Sequence, residues 1–417
     1  MRPVPVPGRC RRGPARAAAA GGNGAGDKPW RMATRILHGP KSLEDPYAAV
    51  SPPLYQTATF DQPSATTFGP YDYTRSGNPT RQMLEEQVAA VDGATRGFAF
   101  ASGMAALTAV TRLVRAGERV VAGNDIYGGT SRLLAQVLPK QGIKVTNVDM
   151  TVLAAVERAC GSGDVKLVLV ESPTNPRMEI CDIKAIADVA HAAGALVCTD
   201  NSIMVHFQDV FALRADINMI SATKFIAGHS DVTGGILTCR DPELADELYF
   251  HQNAEGGGLG PFDCWLALRG LKTMALRMEK QAANAQLLAE YLEQCPLVKK
   301  VNYAGLPGHR DHALHARQAA CGGSLLSFET GNLEASKAIV TDTELYKITV
   351  SFGSVGSSIS LPCYMSHASI PAEVRAARGL PDDLVRISVG IEDPRDLISD
   401  LECALGNAAR VAALSSV

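Results

Sequence analysis

Short apolar runs alternate with amphipathic stretches along most of the chain. The apolar runs are GFAF, ERVVAG, KLVLVESP, ALVCTDN, INMISAT and GILTCR. Several are separated by stretches such as DIKAIADVAHAAG, whose apolar positions follow the period of a helix. Apolar strands that alternate with helices are typical of a mainly parallel sheet covered on both faces. We therefore predict an α/β fold.

Further patterns divide the chain into segments. A predicted helix, MLEEQVAAVDG, begins near Pro79, and another, AALTAVTRLVRAG, ends at Gly117. A long helical pattern, LKTMALRMEKQAANAQLLAEYLEQC, is followed by strand candidates at GGSLLSFET and LVRISVGI, which are typical of an α+β unit. The predicted division is a leader at 1–33, an N-terminal arm at 34–77, a large domain at 78–270 and a smaller domain at 271–417.

The N-terminal leader differs in composition from the rest of the chain. It contains five arginines before its first acid, Asp27, and it lacks the apolar core of a secretory signal. This pattern favours import into an organelle, for which we expect a chloroplast or other plastid. The alternative is a disordered tail without a targeting function, on a cytoplasmic protein.

Charge and cysteine usage exclude several classes of function. The 417 residues carry a formal net charge of −3, which provides no basic surface for nucleic acid. No apolar run reaches the roughly 18 residues that a membrane span requires. The 10 cysteines occur singly, without a C-x-x-C pair, as is typical of reduced core thiols. We expect neither a metal site nor a disulfide framework.

Lys224 occupies an unusual position in the run SATKFIAGHSDVTGG. It is surrounded by small and apolar residues, and the next acid is Asp231. A lysine at a strand end usually extends its ammonium into solvent. A buried lysine instead loses its proton more easily, as an imine-forming nucleophile requires.

Polar residues follow the predicted strands at the point where each strand ends. In parallel sheets ligands bind at this edge. The residues at these ends are Ser102, Glu171, Asn175, Asp200, Ser221, Thr223 and Lys224.

Together these groups match the requirements of pyridoxal 5'-phosphate. Ser102, Gly103 and Met104 begin a helix whose N–H groups can hold a phosphate, and Tyr127 offers an aromatic plane. Asp200 can pair with the ring nitrogen, and Lys224 can form the imine. Taken alone, each of these residues would more often have a structural role than a functional one. A dinucleotide site is excluded because no G-x-G-x-x-G follows GFAF.

Long motifs strengthen this interpretation. The segments YDYTRSGNPTR, FASGMAA, ESPTNP, TDNS, DINMISATKFIAGHS, SFGSVGSSISLPC, MSHASIP and LVRISVGIED occur in this order. They resemble the Cys/Met-metabolism family of pyridoxal-phosphate enzymes from about residue 34 to the C-terminus. The resemblance implies fold type I, similar to aspartate aminotransferase, with a mainly parallel sheet and a smaller α+β domain.

The same resemblance implies roles for individual residues. Lys224 would bind the cofactor and act as the base, with Tyr127 and Tyr73 as further catalytic residues. The remaining cofactor contacts implied are Gly103, Met104, Asn175, Asp200, Ser221, Thr223, and Tyr73 and Arg75 of a neighbouring subunit. The substrate contacts implied are Arg386, Ser351 and Tyr73. A site shared between subunits implies a homodimer at least, and the family suggests a homotetramer.

The resemblance also narrows the reaction. Family members act on cystathionine and related amino acids, and this chain would serve methionine biosynthesis. Val350 stands before Ser351, where the γ-cleaving pattern has an acid, which favours β-elimination of cystathionine. The alternatives are γ-synthase or γ-lyase chemistry. A catalytically silent binding protein would be expected to lack Lys224, Asp200 or Arg386, and all three are present.

Overall fold

The computed structural model describes residues 30–38, 45–368 and 372–414. Nearly all of the predicted leader and Cys10 lie outside these residues. Within them the chain forms two sheets, flanked by helices. The helices are α1 Met32–Leu37, α2 Pro79–Asp92, α3 Gly103–Thr111, α4 Gly128–Arg132, α5 Leu153–Cys160, α6 Ile183–Ala192, α7 Pro242–Glu255, α8 Pro261–Leu271, α9 Met274–Glu293, α10 His312–Gln318, α11 Leu333–Asp342, α12 Ala372–Ala377 and α13 Pro394–Leu414.

The larger sheet has seven strands in the order β1-β7-β6-β5-β4-β2-β3. Its strands are β1 Arg96–Phe100, β2 Arg119–Gly123, β3 Lys144–Val148, β4 Val165–Glu171, β5 Leu196–Asp200, β6 Ile217–Ser221 and β7 Gly235–Cys239. Strands β2 to β6 pair in parallel, whereas β7 pairs antiparallel with both β1 and β6. The prediction of a mainly parallel sheet is confirmed.

The smaller sheet has five strands in the order β10-β11-β12-β9-β8. Its strands are β8 Lys300–Asn302, β9 Leu325–Glu329, β10 Lys347–Ile348, β11 Ser358–Ser360 and β12 Val385–Ser388. Helices α9, α11 and α13 pack on it through apolar side chains such as Leu288, Ile339 and Leu401, all fully buried. The sheet is mostly antiparallel, as an α+β unit requires. The domain boundaries themselves stay a prediction.

Helices cover both faces of the larger sheet. On one face Leu107 of α3 packs with Phe98 and Leu167. On the other face Ile186 of α6 packs with Val168 and Val121. This two-sided burial explains why the central strands are nearly continuous apolar runs.

Local capping explains the start of α2. Asn78 is its N-cap, and the side chain accepts the backbone N–H groups of Thr80 and Arg81. Pro79 occupies the first helical position, where its missing N–H costs nothing. Gly93 ends the helix with a positive φ of 64°. The predicted helix start near Pro79 is confirmed.

Two local predictions differ from the structure. Helix α3 ends at Thr111, and the chain reaches Gly117 through turns rather than as a continuous helix. Strand β3 and helix α4 were not expected. Strand β3 lies at the sheet edge and alternates exposed and half-buried residues, so it lacks the apolar run that identifies the central strands.

Candidate active site

A cavity of about 220 Å³ lies at the carboxyl ends of β4, β5 and β6. Most residues singled out from the sequence line it together: Ser102, Gly103, Met104, Tyr127, Glu171, Asn175, Asp200, Ser221, Thr223, Lys224, Val350 and Arg386. The carboxyl edge of a parallel sheet collects such residues because neighbouring strands end side by side.

Lys224 is held by the turn that follows β6. Its backbone N–H donates to the carbonyl of Ser221 (3.1 Å), and its carbonyl accepts the N–H of Gly228 (2.8 Å). Phe225 and Ile226, the next two residues, are buried in the core. The backbone is therefore fixed, and the side chain of Lys224 enters the cavity.

Lys224 Nζ donates a hydrogen bond of 2.7 Å to Ser351 Oγ. Ser351 lies in the loop between β10 and β11 of the smaller sheet. The ring of Phe352 lies 4.7 Å from the same nitrogen. Gly353 follows with a positive φ of 85°, and a Cβ there would lie only 3.1 Å from the Lys224 backbone. The glycine thus allows the loop at 351–353 to pack against the lysine.

Burial and the neighbouring Arg386 lower the pKa of Lys224 to about 8. Desolvation disfavours the ammonium, and the guanidinium adds like-charge repulsion, while Asp200 opposes both effects. A substantial fraction of the amine is therefore neutral near physiological pH. This answers why a lysine is placed among apolar residues.

Arg386 projects from β12 into the cavity and is 2% exposed. Its Nη1 donates to Asn175 Oδ1 (2.9 Å), and its Nη2 donates to the Ser351 carbonyl (3.0 Å). Its Nε is buried without a protein partner. Burial lowers the pKa of Arg386 to about 10, so the guanidinium remains charged at neutral pH. Such a group offers an anion a charged, oriented donor.

Asp200 ends β5 inside the same cavity. Its Oδ1 accepts the backbone N–H of Ser202 (3.0 Å), and burial raises the pKa of its carboxyl. The nearby ammonium of Lys224 opposes this rise in the pKa of Asp200. A buried carboxylate is stable beside a further positive group, such as a protonated ring nitrogen.

The start of α3 forms one wall of the cavity. Ser102 caps the helix by accepting the N–H of Ala105 (3.0 Å), which leaves the first-turn N–H groups near Gly103 and Met104. A Cβ on Gly103 would lie 3.4 Å from Ser221 Oγ, so glycine keeps helix and strand end close. Helix N–H groups beside a hydroxyl are suited to bind phosphate.

These donor sets fit pyridoxal 5'-phosphate. The cavity combines a neutralisable amine at Lys224, a buried carboxyl at Asp200 and a helix N-terminus at Gly103. Tyr127, 42% exposed, contributes an aromatic ring beside them. The unpartnered Nε of Arg386 indicates that a further anionic group, such as a substrate carboxylate, belongs there.

Tyr73 and Arg75 do not reach this cavity within one chain. They line a separate cavity of about 460 Å³, beside Arg81 and Gly258. Arg75 Nη1 donates to the carbonyl (2.8 Å) and to the side-chain oxygen (2.9 Å) of Asn253. Their predicted contact with a neighbouring subunit stays a prediction.

Several residues in or beside the site received no role from the sequence. Glu171 was noted only as a strand-end residue, and Phe352 and His367 lie in the quoted motifs SFGSVGSSISLPC and MSHASIP. Burial and Arg386 lower the pKa of His367 to about 4, so the ring stays neutral. The motifs indicated that these segments belong to the family pattern. The local sequence does not show which cavity the side chains of Phe352 and His367 face.

No helix in the described residues has the length and apolar composition to cross a bilayer. The same residues contain no cluster of three His, Cys, Asp or Glu side chains arranged for a metal ion. The rings of His312 and His315 instead contact the carbonyls of Ala304 and Cys321, each at 2.8 Å. These histidines join chain segments.

Comparison with known proteins identifies the family. Residues 33–406 match the model of the Cys/Met metabolism PLP-dependent enzymes, and the chain belongs to this family. Its cofactor is therefore pyridoxal 5'-phosphate, as predicted.

Individual relatives agree with this assignment. The chain is 61% identical to chloroplastic cystathionine beta-lyase of Arabidopsis thaliana, over 86% of this chain and 78% of the relative. It is 59% identical to the enzyme of the same name from Mimosa pudica, over 87% and 79%. The structure of cystathionine gamma synthase from Xanthomonas oryzae pv. oryzae, in complex with aminoacrylate and cysteine, superposes with a TM-score of 0.89 at 37% identity, over 92% and 100%.

Proposed function

We propose that this chain is a carbon–sulfur lyase that cleaves cystathionine by β-elimination. The observation that carries the proposal is that Lys224 Nζ and Arg386 Nη2 both donate to Ser351, while Lys224 and Arg386 line the same cavity as Asp200. A base and a carboxylate-binding group are thereby placed side by side. The names of the relatives from Arabidopsis thaliana and Mimosa pudica support the choice of substrate.

The bound cofactor supplies an aldehyde that combines with amino groups and a ring that withdraws electrons from the substrate α-carbon. Asp200 would hold the ring nitrogen in its protonated form, because a buried carboxylate favours a positive neighbour. Tyr127 would stack on the ring. The phosphate would be held by Gly103, Met104, Ser221 and Thr223, and Asn175 would lie near the ring hydroxyl.

Arg386 orients the substrate by binding its α-carboxylate. The planar guanidinium is already fixed by Asn175 and Ser351, so little side-chain entropy is lost on binding. This contact places the substrate α-carbon beside Lys224. Positioning of this kind accounts for a large share of enzymatic rate enhancement.

Lys224 moves the proton. Its neutral amine accepts the α-proton of the substrate, and Ser351 Oγ holds the resulting ammonium in place. Loss of the β-thiolate then gives homocysteine after protonation. The overall balance is cystathionine plus water to homocysteine, pyruvate and ammonia.

Val350 supports β-elimination over γ-cleavage. It lines the cavity next to Ser351 and is 58% exposed. An apolar side chain there provides no acceptor for the amino group of a substrate seated in the opposite orientation. The second candidate is γ-type chemistry, since cystathionine gamma-lyase of Bacillus subtilis is 44% identical over 90% of this chain.

The products of cystathionine cleavage test the proposal. Purified protein loaded with pyridoxal 5'-phosphate is expected to release pyruvate and homocysteine. α-Ketobutyrate and cysteine would instead show γ-cleavage, and cystathionine formed from O-phosphohomoserine and cysteine would show a synthase. Lys184→Ala is a matched control for Lys224→Ala, because Lys184 forms an exposed pair with Asp188.

The active assembly is a homodimer at least, with a homotetramer as the expected form. Tyr73 and Arg75 then reach the cofactor phosphate of the neighbouring subunit, and Tyr73 also faces its substrate. Apolar side chains of the arm, such as Tyr47 and Val50, are largely exposed in a single chain, which supports burial against a second copy. Mixing inactive Lys224→Ala subunits with inactive Arg75→Ala subunits should restore activity if sites are shared.

The relatives and the leader support a plastid location for this chain. The Arabidopsis thaliana and Mimosa pudica relatives are chloroplastic by name. The arginine-rich leader agrees with plastid import for this chain. A fluorescent fusion of residues 1–33 should enter plastids, and cytoplasmic fluorescence would contradict the assignment.

A further inference from the structure

Glu171 is a buried carboxyl beside Asp200. It ends β4 and pairs in register with Asp200 at the end of β5. Paired residues of parallel strands project to the same face, and neighbouring strands lie about 4.8 Å apart. Glu171 is 9% exposed, and both carboxyls line the cavity of about 220 Å³. Two acidic groups are therefore adjacent at the site.

Glu171 also joins two loops of the site to the sheet. Its Oε2 accepts the backbone N–H of Tyr127 at 3.2 Å. The backbone N–H of Asn175 also faces the carboxyl. Tyr127 lies beside the cofactor position, and Asn175 accepts from Arg386. The Glu171 side chain thus links the backbone of Tyr127 and of Asn175 to the end of β4.

Several acidic groups surround Glu171. Asp200 faces it from β5, Asp125 from the loop after β2, and the thiol of Cys181 from the loop after β4. A second, polar cavity of about 280 Å³ borders Glu171 on its other side. Cations line both cavities, Lys224 and Arg386 the first and Arg177 and Arg378 the second. Arg177 forms its ion pair with Glu179.

Two neighbouring buried carboxyls repel each other when both are charged, which favours the protonated form of one of them. Burial and Asp200 raise the pKa of Glu171 well above its usual range. Asp200 also has a raised pKa, but Lys224 opposes that shift and therefore favours the charge on Asp200. A positive ring nitrogen beside Asp200 would favour it further.

We infer that Glu171 is a positioning residue that acts as a neutral acid, keeping its proton while Asp200 carries the negative charge. Its hydrogen bonds hold the segments of Tyr127 and Asn175 without adding a second charge near the cofactor. The inference rests on the proposed function, since it describes how the same site is kept in order. It assigns a role to the acid at the end of β4, which the mechanism does not use.

Two substitutions separate the charge of Glu171 from its function as a hydrogen-bond acceptor. Glu171→Gln is neutral and retains a carbonyl oxygen for the Tyr127 N–H. Glu171→Leu is also neutral but removes every acceptor. Asp149→Asn is the matched control, because Asp149 lines only the second cavity. The readouts are kcat and KM for cystathionine, the pH titration of cofactor absorbance, and the infrared carbonyl band of a protonated carboxyl.

Asp149→Asn should keep the absorbance midpoint and kcat/KM of the parent, and Glu171→Gln should keep the absorbance midpoint. Glu171→Leu should raise KM roughly tenfold, because the N–H groups of Tyr127 and Asn175 lose their acceptor. The infrared band should be present in the parent and absent from Glu171→Gln, whether or not Glu171→Leu folds.

A shift of about one pH unit or more in the absorbance midpoint of Glu171→Gln would show that Glu171 is charged, and the inference would be wrong. A parent protein without the infrared band, or an unchanged KM in folded Glu171→Leu, would overturn it as well. A parent protein that binds the cofactor but forms no pyruvate would instead contradict the proposed function. These results are therefore distinguishable.

Discussion

Lys224 Nζ lies 2.7 Å from Ser351 Oγ, although the two residues are 127 positions apart in the sequence. The contact joins the turn after β6 of the larger sheet to the loop between β10 and β11 of the smaller sheet. The backbone carbonyl of the same residue, Ser351, accepts a hydrogen bond of 3.0 Å from Arg386, so the amine and the guanidinium are held close together. The site is therefore completed only when both parts of the chain have folded together.

Replacing Lys224 tests the base. Lys224→Ala should lower kcat for pyruvate formation by roughly 10²- to 10⁴-fold, the usual contribution of general base catalysis. The fold should survive, because buried Asp200 loses a nearby cation but keeps the hydrogen bond from the Ser202 N–H. Circular dichroism and pyruvate assays measure the two effects. Parent-like kcat in this variant would exclude Lys224 as the base.

Removing the Ser351 hydroxyl tests the partner of that base. Ser351→Ala keeps the carbonyl that accepts from Arg386 but removes the acceptor for Lys224. A single hydrogen bond of about 1 kcal/mol corresponds to a roughly fivefold loss. We expect this loss in kcat, with KM nearly unchanged. A large rise in KM with constant kcat would show that Ser351 serves the substrate instead.

A conservative change at Arg386 tests the carboxylate contact. Arg386→Lys keeps a positive charge but loses the planar donor fork that Asn175 and Ser351 orient. Loss of one or more charge-assisted hydrogen bonds predicts a KM increase of roughly tenfold to a hundredfold. Arg395→Lys is the control, because Arg395 forms an exposed pair with Asp393. Equal KM values for both variants would rule out the contact.

The pKa of Lys224 near 8 predicts how apoprotein captures the cofactor. Only the neutral amine reacts, so the capture rate should rise about tenfold per pH unit below the pKa and level off above it. Stopped-flow absorbance after addition of pyridoxal 5'-phosphate measures the rate.

The charged neighbours of Lys224 determine how substitutions shift the pH midpoint of the capture rate. Arg386→Gln removes a repelling positive charge, so the pKa of Lys224 and the midpoint should rise. Asp200→Asn removes an attracting negative charge, so both should fall. Shifts in the opposite directions would contradict the electrostatic account.

A charged residue at position 350 tests the choice of reaction. Val350→Glu places a carboxylate at the cavity wall, where it can attract a substrate amino group. We expect a lower kcat/KM for β-cleavage and a larger share of α-ketobutyrate among the products. Val350→Gln, which has a similar size without the charge, is the control. An unchanged product ratio in Val350→Glu would show that this position does not set specificity.

Much of the site was predictable because strand ends can be read from apolar runs. Asp200 and Lys224 follow neighbouring strands, so their approach results from local pattern and parallel topology. Arg386 and Ser351 belong to the other half of the chain, and only motif resemblance pointed to them. Their contacts with Asn175 and Lys224 depend on long-range packing, which local periodicity does not encode.

The fold shows the same limit. The buried strands β4 and β5 were identified because both faces are covered and each contains a run of apolar residues. The edge strand β3 was missed because its exposed residues break the run. Glu171 was seen at its strand end, but its role depends on which charges surround it, and this is set by the three-dimensional arrangement.

The most direct test of the account is to locate the covalent bond between protein and cofactor. Treatment of the yellow holoprotein with borohydride, followed by proteolysis and mass spectrometry, identifies the modified residue. The account predicts a pyridoxyl group on Lys224 and no colour in Lys224→Ala. A modification on any other lysine, or retained colour in the variant, would contradict it.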